Sequence, residues 1–344
     1  MTEAPTALFD ALWPGRGPTP LLDLPELAAL CGVGRVIVKD ESRRTLGNFK
    51  SLGGTYAGLA ALARVLGEPT IAALLAGRRA GRPLPTLICA SAGNHGLAVV
   101  AAAEIAGTRA RIYLGAGVSE ARLRRLSDRG AELVRIAGAY DDAVQAAARA
   151  ADAGEGLLIA DISDRPHDLA LRDVMAGYDV MAQEIVRQWP GLCGVELSHL
   201  FVQAGVGGLA AALARGLCER PARTPSVVVV EPVAARCVAA GLAAGRAVRL
   251  GGDLASAAEM LSCGQASTPA LEILLRHRAV AIGVDDAALR AAVGRLAQAG
   301  GPATTPSGAA GLAGLIAATS GTNDANGVRL TVHSQVLLVV TEGP

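Results

Sequence analysis

With 344 residues, 51% of them apolar, the chain can bury the cores of about two domains. Its 32 basic and 31 acidic residues leave a formal charge of +1 without a long basic run, so the expected partner is a small molecule and neither a nucleic acid nor a membrane surface. Six cysteines (Cys31, Cys89, Cys193, Cys218, Cys237, Cys263) lie without a C-x-x-C pair or a matching His spacing, which argues against a metal site and a disulfide framework and for reduced thiols.

The opening run MTEAPTALFDALWPGRGPTP carries acids and prolines where a secretory leader needs a basic and then an apolar run. No apolar stretch nears the roughly 18 residues of a membrane span, and a cytoplasmic protein is expected. Short apolar strands are predicted at residues 36–39, 86–90, 110–114, 132–136 and 156–160, with Ala-rich helical runs between most of them. The second half repeats the alternation, with strands at 199–203, 226–230, 279–282 and 335–340. Strands alternating with helices predict an α/β fold of mostly parallel sheets covered on both faces. Two sheets are expected, with the ligand in the cleft at the carboxyl ends of their strands. Residues 65–85, with the polar stretch Ala76-Gly-Arg-Arg-Ala-Gly-Arg-Pro83, read as a connection into the smaller unit. Only nine aromatics are present, so the cores are built from Ala, Leu and Val.

Lysine occurs twice, at Lys39 and Lys50, in a chain whose other basic residues are all Arg. An amine condenses with a carbonyl to form a Schiff base, which a guanidinium does poorly. Lys50 follows turn-forming residues and precedes the helical run starting at Tyr56, beside small residues that leave room for a planar group. Lys39 ends an apolar strand and precedes Asp40 and Glu41, which reads as a structural ion pair. After the strand at 86–90 comes Ser91-Ala-Gly-Asn-His-Gly96 and then a helix, a receptor for a carboxylate, or else an ordinary turn capped by Asn94. After the strand at 199–203, Ala204-Gly-Val-Gly-Gly-Leu209 opens another helix as a phosphate loop. Glu231 ends the next strand where a ribose-binding acid would sit, so this segment alone also fits a nicotinamide-binding fold.

An imine-forming amine, a carboxylate loop and a phosphate loop are together what pyridoxal phosphate and an amino acid require. The chain resembles the fold-type II pyridoxal-phosphate enzymes of the tryptophan synthase β family. The resemblance is carried by Val38-Lys-Asp-Glu-Ser42, Asn48-Phe-Lys50 with Leu52-Gly-Gly54, Gly93-Asn-His-Gly96, Gln203-Ala-Gly-Val-Gly207, Val230-Glu-Pro232, Ser307-Gly-Ala309 and Thr341-Glu-Gly343. Within that family the pattern is most similar to the diaminopropionate ammonia-lyases. The resemblance implies two open α/β domains, a large one over 1–83 and 165–344 that binds the cofactor and a small one over 84–164 that binds the substrate carboxylate, with the cofactor in the interdomain cleft. It further implies a homodimer. By position, Lys50 would hold the cofactor covalently and later move the substrate α-proton. Gly205, Val206, Gly207, Gly208 and Leu209 would offer amides to its phosphate, Asn94 would bond its 3-oxygen, and Thr341 would meet its ring nitrogen. Ser91, Ala92, Gly93 and His95 would line the carboxylate loop.

One departure bears on stereochemistry. The ammonia-lyases carry an Asp where this chain has Ala92, and that acid serves the D-substrate. Asp161 matches the family's second acid, which serves the L-isomer, and also reads simply as a turn residue ending a strand. The implied reaction is α,β-elimination on an L-amino acid such as 2,3-diaminopropionate. The alternatives are a serine or threonine dehydratase, a threonine synthase-like or other β-replacing enzyme, and a catalytically silent cofactor-binding homologue.

Overall fold

The computed structural model describes residues 5–77, 83–138, 140–193, 196–218, 224–320 and 327–344. Among them are ten strands: β1 (Leu21–Asp23), β2 (Arg35–Asp40), β3 (Leu87–Cys89), β4 (Ala110–Leu114), β5 (Glu132–Arg135), β6 (Leu157–Leu158), β7 (His199–Gln203), β8 (Ser226–Pro232), β9 (Val280–Val284) and β10 (Gln335–Val340). Nine of these fall on the predicted apolar runs. The tenth, β1, spans three residues and pairs antiparallel with β2, Leu21 opposite Lys39, at a sheet edge too short to carry a hydrophobic period. Residues 78–82 of the predicted connection lie outside the described residues, and the part before them contains the short helix Ile71–Gly77.

The chain divides into two compact units, each with one sheet. The first comprises Met1–Arg16, Lys50–Asp161 and Asp168–Val180. Its sheet is fully parallel, in the order β5-β4-β3-β6. Ala143, Ala147 and Ala150 of helix Tyr140–Asp152 bury against Ile88 and Tyr113, the small side chains letting helix and sheet approach closely. Helix Lys50–Val65 lies against helix Asn94–Ala106 through small residues spaced four apart, so that they share one face of each helix. A Cβ on Gly54 would stand 2.5 Å from Cβ of Ala98, and one on Gly58 2.7 Å from Cβ of Ala102. The first residue of the former helix is Lys50.

The second unit comprises Gly17–Phe49, Ile162–His167 and Met181–Pro344. Its sheet runs β1-β2-β10-β7-β8-β9, parallel except for β1. Phe201, Val228, Val230, Val336 and Leu338 pack with Leu289 and Leu296 of helix Asp286–Gln298 and with Leu312 and Leu315 of helix Ala310–Thr319. Strands buried on both faces explain the continuous apolar runs, and the one polar residue of β7 with an amide side chain, Gln203, stands out among them. Lys39, the last but one residue of β2, is fully buried. Its ammonium donates to Thr19 O at 2.7 Å and Gln188 Oε1 at 2.9 Å and pairs with Glu184 Oε2 at 2.7 Å. The structural ion pair read at Lys39 is therefore present, its partner lying 145 positions on in the chain, while the neighbouring Glu41 pairs with Arg44. No helix among the described residues is long and apolar enough to cross a membrane.

Candidate active site

In the first unit the chemically able side chains emerge where strands end. Adjacent strands β3 and β6 pair Ile88 with Leu158, and three residues further along each come Ser91 and Asp161. Lys50 Nζ lies 2.6 Å from Asp161 Oδ2, with the two side chains 24% and 18% exposed. Burial works to raise the Asp161 carboxyl, and the Lys50 ammonium, by its charge and its hydrogen bond, outweighs burial and holds the carboxyl below the usual carboxylate range. An amine and a carboxylate this close exchange a proton without a mediating water.

His95 follows from the same loop. Its Nε2 stands 2.9 Å from the carbonyl of Ile159, and because a carbonyl only accepts, the ring proton is on Nε2 and Nδ1 carries a lone pair. Burial depresses the basicity of the ring, which stays neutral. Its Nδ1 is buried without a hydrogen-bond partner among the described residues. Gly96 has no alternative here, since a Cβ would collide with the carbonyl oxygen of Ser91. Ser91 Oγ accepts from Gly93 N at 3.3 Å, which folds the loop tightly, and Ser91, Ala92 and Gly93 stay partly exposed ahead of the buried Asn94. Helix Asn94–Ala106 is capped at Gly93, with no side-chain cap. The capping explanation for Asn94 therefore fails, because Asn94 is already the first helical residue.

In the second unit the loop after β7 enters helix Gly208–Cys218. Gly207 has φ +93°, a left-handed conformation that side chains resist. No described residue accepts from the N–H groups of Gly205, Val206, Gly207, Gly208 or Leu209. Five free donors at the positive end of a helix form a cradle for an anion. Thr341, one residue past β10, is buried beside the end of β7, its Oγ1 accepting from Gln203 Nε2 at 3.1 Å. Ser307 does not cap the helix after it: that helix starts at Ala310, and Ser307 Oγ instead accepts from Met260 N at 3.2 Å.

The profile of the pyridoxal-phosphate dependent enzymes matches residues 12–341. The chain belongs to that family. It is similar to the diaminopropionate ammonia-lyase of Salmonella typhimurium (strain LT2), 32% identical over 357 residues covering 97% of this chain and 87% of the relative. The Escherichia coli (strain K12) diaminopropionate ammonia-lyase is 33% identical over 269 residues, 76% of this chain, and the aligned stretch spans 66% of that relative. A crystal structure of the holo E. coli enzyme superposes with a TM-score of 0.85 at 28% identity, covering 99% of this chain and 89% of that one.

The residues present fit pyridoxal phosphate. The unpartnered amides at 205–209 suit its dianionic phosphate, and Lys50 supplies an amine at the head of a helix. As a member of this family the chain has no use for a ribose acid at Glu231, and the geometry agrees: Glu231 is fully buried, with its two oxygens taken by the N–H groups of Val238 at 2.7 Å and Ala239 at 2.8 Å. Burial pushes its carboxyl up to about 7 against the pull of those two bonds. Two residues gain a place that the sequence had not given them. Tyr178 is buried against Gly53, three residues after Lys50, and burial pushes its phenol up. Gln203, quoted only as part of a motif, is the residue that touches Thr341; an amide ending an otherwise apolar strand was the signal available.

Proposed function

We propose that this pyridoxal-phosphate-dependent enzyme is an ammonia-lyase acting by α,β-elimination on an L-amino acid, with L-2,3-diaminopropionate as the leading substrate and pyruvate and ammonia as products. The observation that carries the reading is the 2.6 Å contact of Lys50 Nζ with Asp161 Oδ2, while the position of the other family acid, in the loop after the adjacent strand β3, is Ala92. One carboxylate next to the amine leaves one side of a substrate α-carbon served by an acid. In this reading Lys50 bonds the carbonyl carbon of the cofactor, and the amides of Gly205, Val206, Gly207, Gly208 and Leu209 take its phosphate. Asn94 bonds its 3-oxygen and Thr341 its ring nitrogen. Bound there, the cofactor supplies electron withdrawal that acidifies the substrate Cα–H. Ser91, Ala92, Gly93 and His95 would line the substrate-carboxylate loop, His95 through its backbone N–H, and so orient the Cα–H bond. The Lys50 amine would carry the α-proton, and Asp161 would receive and return protons at Lys50 Nζ.

We also take the enzyme to be a homodimer, and residues 84–164 to be the carboxylate-binding domain, on the strength of the family resemblance, and to be cytoplasmic on the strength of its opening residues and its short apolar runs. The test is a panel of amino acids, each enantiomer assayed separately for ammonia, pyruvate and 2-oxobutyrate. Release of pyruvate and ammonia from L-2,3-diaminopropionate is expected, with loss of turnover and of the borohydride-reducible chromophore in Lys50→Ala. Activity confined to D-isomers would overturn the role given to Asp161. Preference for L-serine or L-threonine would make the enzyme a dehydratase.

A further inference from the structure

Thr341 is placed by a single neighbour with unusual connectivity. Gln203 Nε2 lies 3.1 Å from the carbonyl oxygen of Ser307, 3.0 Å from that of Gly308, 3.0 Å from that of Val339, and 3.1 Å from Thr341 Oγ1. Three carbonyl oxygens fix the amide orientation. Turned over, the side chain would set its own oxygen against all three, with no hydrogen between them. The NH2 group therefore faces Thr341, its two hydrogens shared among these four oxygens, and in the contact with Thr341 the nitrogen can only donate and the hydroxyl accept. A hydroxyl that accepts from one side directs its hydrogen elsewhere, and no described residue accepts the Thr341 hydrogen. Gln203 and Thr341 are both buried, 3% and 4% exposed, so bulk water does not freely reorient the pair.

We propose that Gln203 is a positioning residue that locks the Thr341 hydroxyl as a donor, and thereby keeps the ring nitrogen of the bound cofactor an acceptor without a proton. A hydroxyl free to rotate serves either protonation state of a pyridine nitrogen; with the Gln203 NH2 group on one lone pair and no other acceptor for its hydrogen among the described residues, the Thr341 hydroxyl satisfies that hydrogen only on the unprotonated ring. Hydrogen bonding to the neutral form depresses protonation. The side chain acts two bonds away from the chemistry, through Thr341, and touches neither cofactor nor substrate. The inference rests on the assignment of Thr341 to the ring nitrogen.

The test loads the protein with pyridoxal phosphate labelled with 15N in the ring and records the ring-nitrogen resonance against pH. Wild type should show the unprotonated position through neutral pH. Thr341→Val and Gln203→Met should each raise the protonated fraction on the order of tenfold, the change expected from losing one hydrogen bond to the neutral form. The double variant should be no different from Thr341→Val alone, and Thr341→Ser should match wild type. A Thr341→Val spectrum identical to wild type would remove the assignment of Thr341 itself. A response to Thr341→Val with none to Gln203→Met would sink the role of Gln203 and leave that assignment standing. Additive effects in the double variant would mean that Gln203 acts by another route. Should Gln203→Met fail to fold, the side-chain amide resonances of Gln203 in 15N-labelled wild type and Thr341→Val decide the matter. A shift with faster solvent exchange in the variant is expected, and unchanged resonances overturn the coupling.

Discussion

At the scale of single residues, the contact between Lys50 and Asp161 makes a claim that separates charge from shape. Asp161→Asn keeps the volume and one hydrogen bond and removes both the negative charge and the proton acceptor. Turnover should fall by roughly 10²- to 10⁴-fold, the usual worth of a general acid-base group, with far-UV circular dichroism unchanged. The cofactor-free protein adds a pH signature. The Asp161 carboxyl is held below its unfolded value of about 3.9, so its stabilisation is complete above that pH and is lost as pH falls through the lower folded value. The difference in melting temperature between wild type and Asp161→Asn should be constant near neutrality and close in the acid range below about pH 4. A constant difference down to low pH would show that the ion pair contributes nothing. Lys50 and the loop at 91–96 could be proposed from the sequence because each is a short run of contiguous residues. The pairing of Lys50 with Asp161 spans 111 positions, and that of Gln203 with Thr341 spans 138; nothing local marks either.

At the scale of elements, two of the three glycines in the proposed phosphate loop are constrained for different reasons. Gly207 has φ +93° and open surroundings, the nearest atoms to a Cβ being Ala270 Cβ and Val238 Cγ2 at 3.5 Å. Gly205 would instead bring a Cβ to 2.9 Å from the Cys263 Sγ, a side chain able to move. Gly207→Ala therefore suffers backbone strain of about 1–3 kcal/mol, which the loop sheds by leaving its amide geometry. Affinity for pyridoxal phosphate should drop roughly ten- to a hundredfold by fluorescence titration. Gly205→Ala should bind with a smaller loss, and equal losses would contradict the strain argument. Strands were read well because residues buried on both faces of a parallel sheet are apolar throughout. The exceptions were β1 and helix Ile71–Gly77, elements of three and seven residues held by neighbours and not by their own pattern.

At the scale of the whole molecule, the rarity of lysine acquires two separate physical causes. At Lys50 the proposed cause is reactivity. At Lys39 it is a count of donors. The buried ammonium has three hydrogens and meets three acceptors, Thr19 O, Gln188 Oε1 and Glu184 Oε2, within 2.9 Å. A guanidinium brings five N–H groups in a rigid plane, and the acceptors around it are already engaged by Arg44, which bonds both oxygens of Glu184 at 2.7 Å. Lys39→Arg, conservative in charge, should thus leave two donors buried without partners at about 1–3 kcal/mol each, a large share of a total stability of about 5–15 kcal/mol. Glu184→Ala, which strips the carboxylate from both cations, should cost about 3–5 kcal/mol. Lys39→Met should be the mildest of the three, since Glu184 keeps its two bonds to Arg44 and the methionine removes a charge that burial already drives toward neutrality. Urea unfolding of the three variants gives the ranking directly. If Lys39→Arg proved as stable as wild type, base composition alone would be the better explanation for the lysine at 39, and the donor count would have to be abandoned.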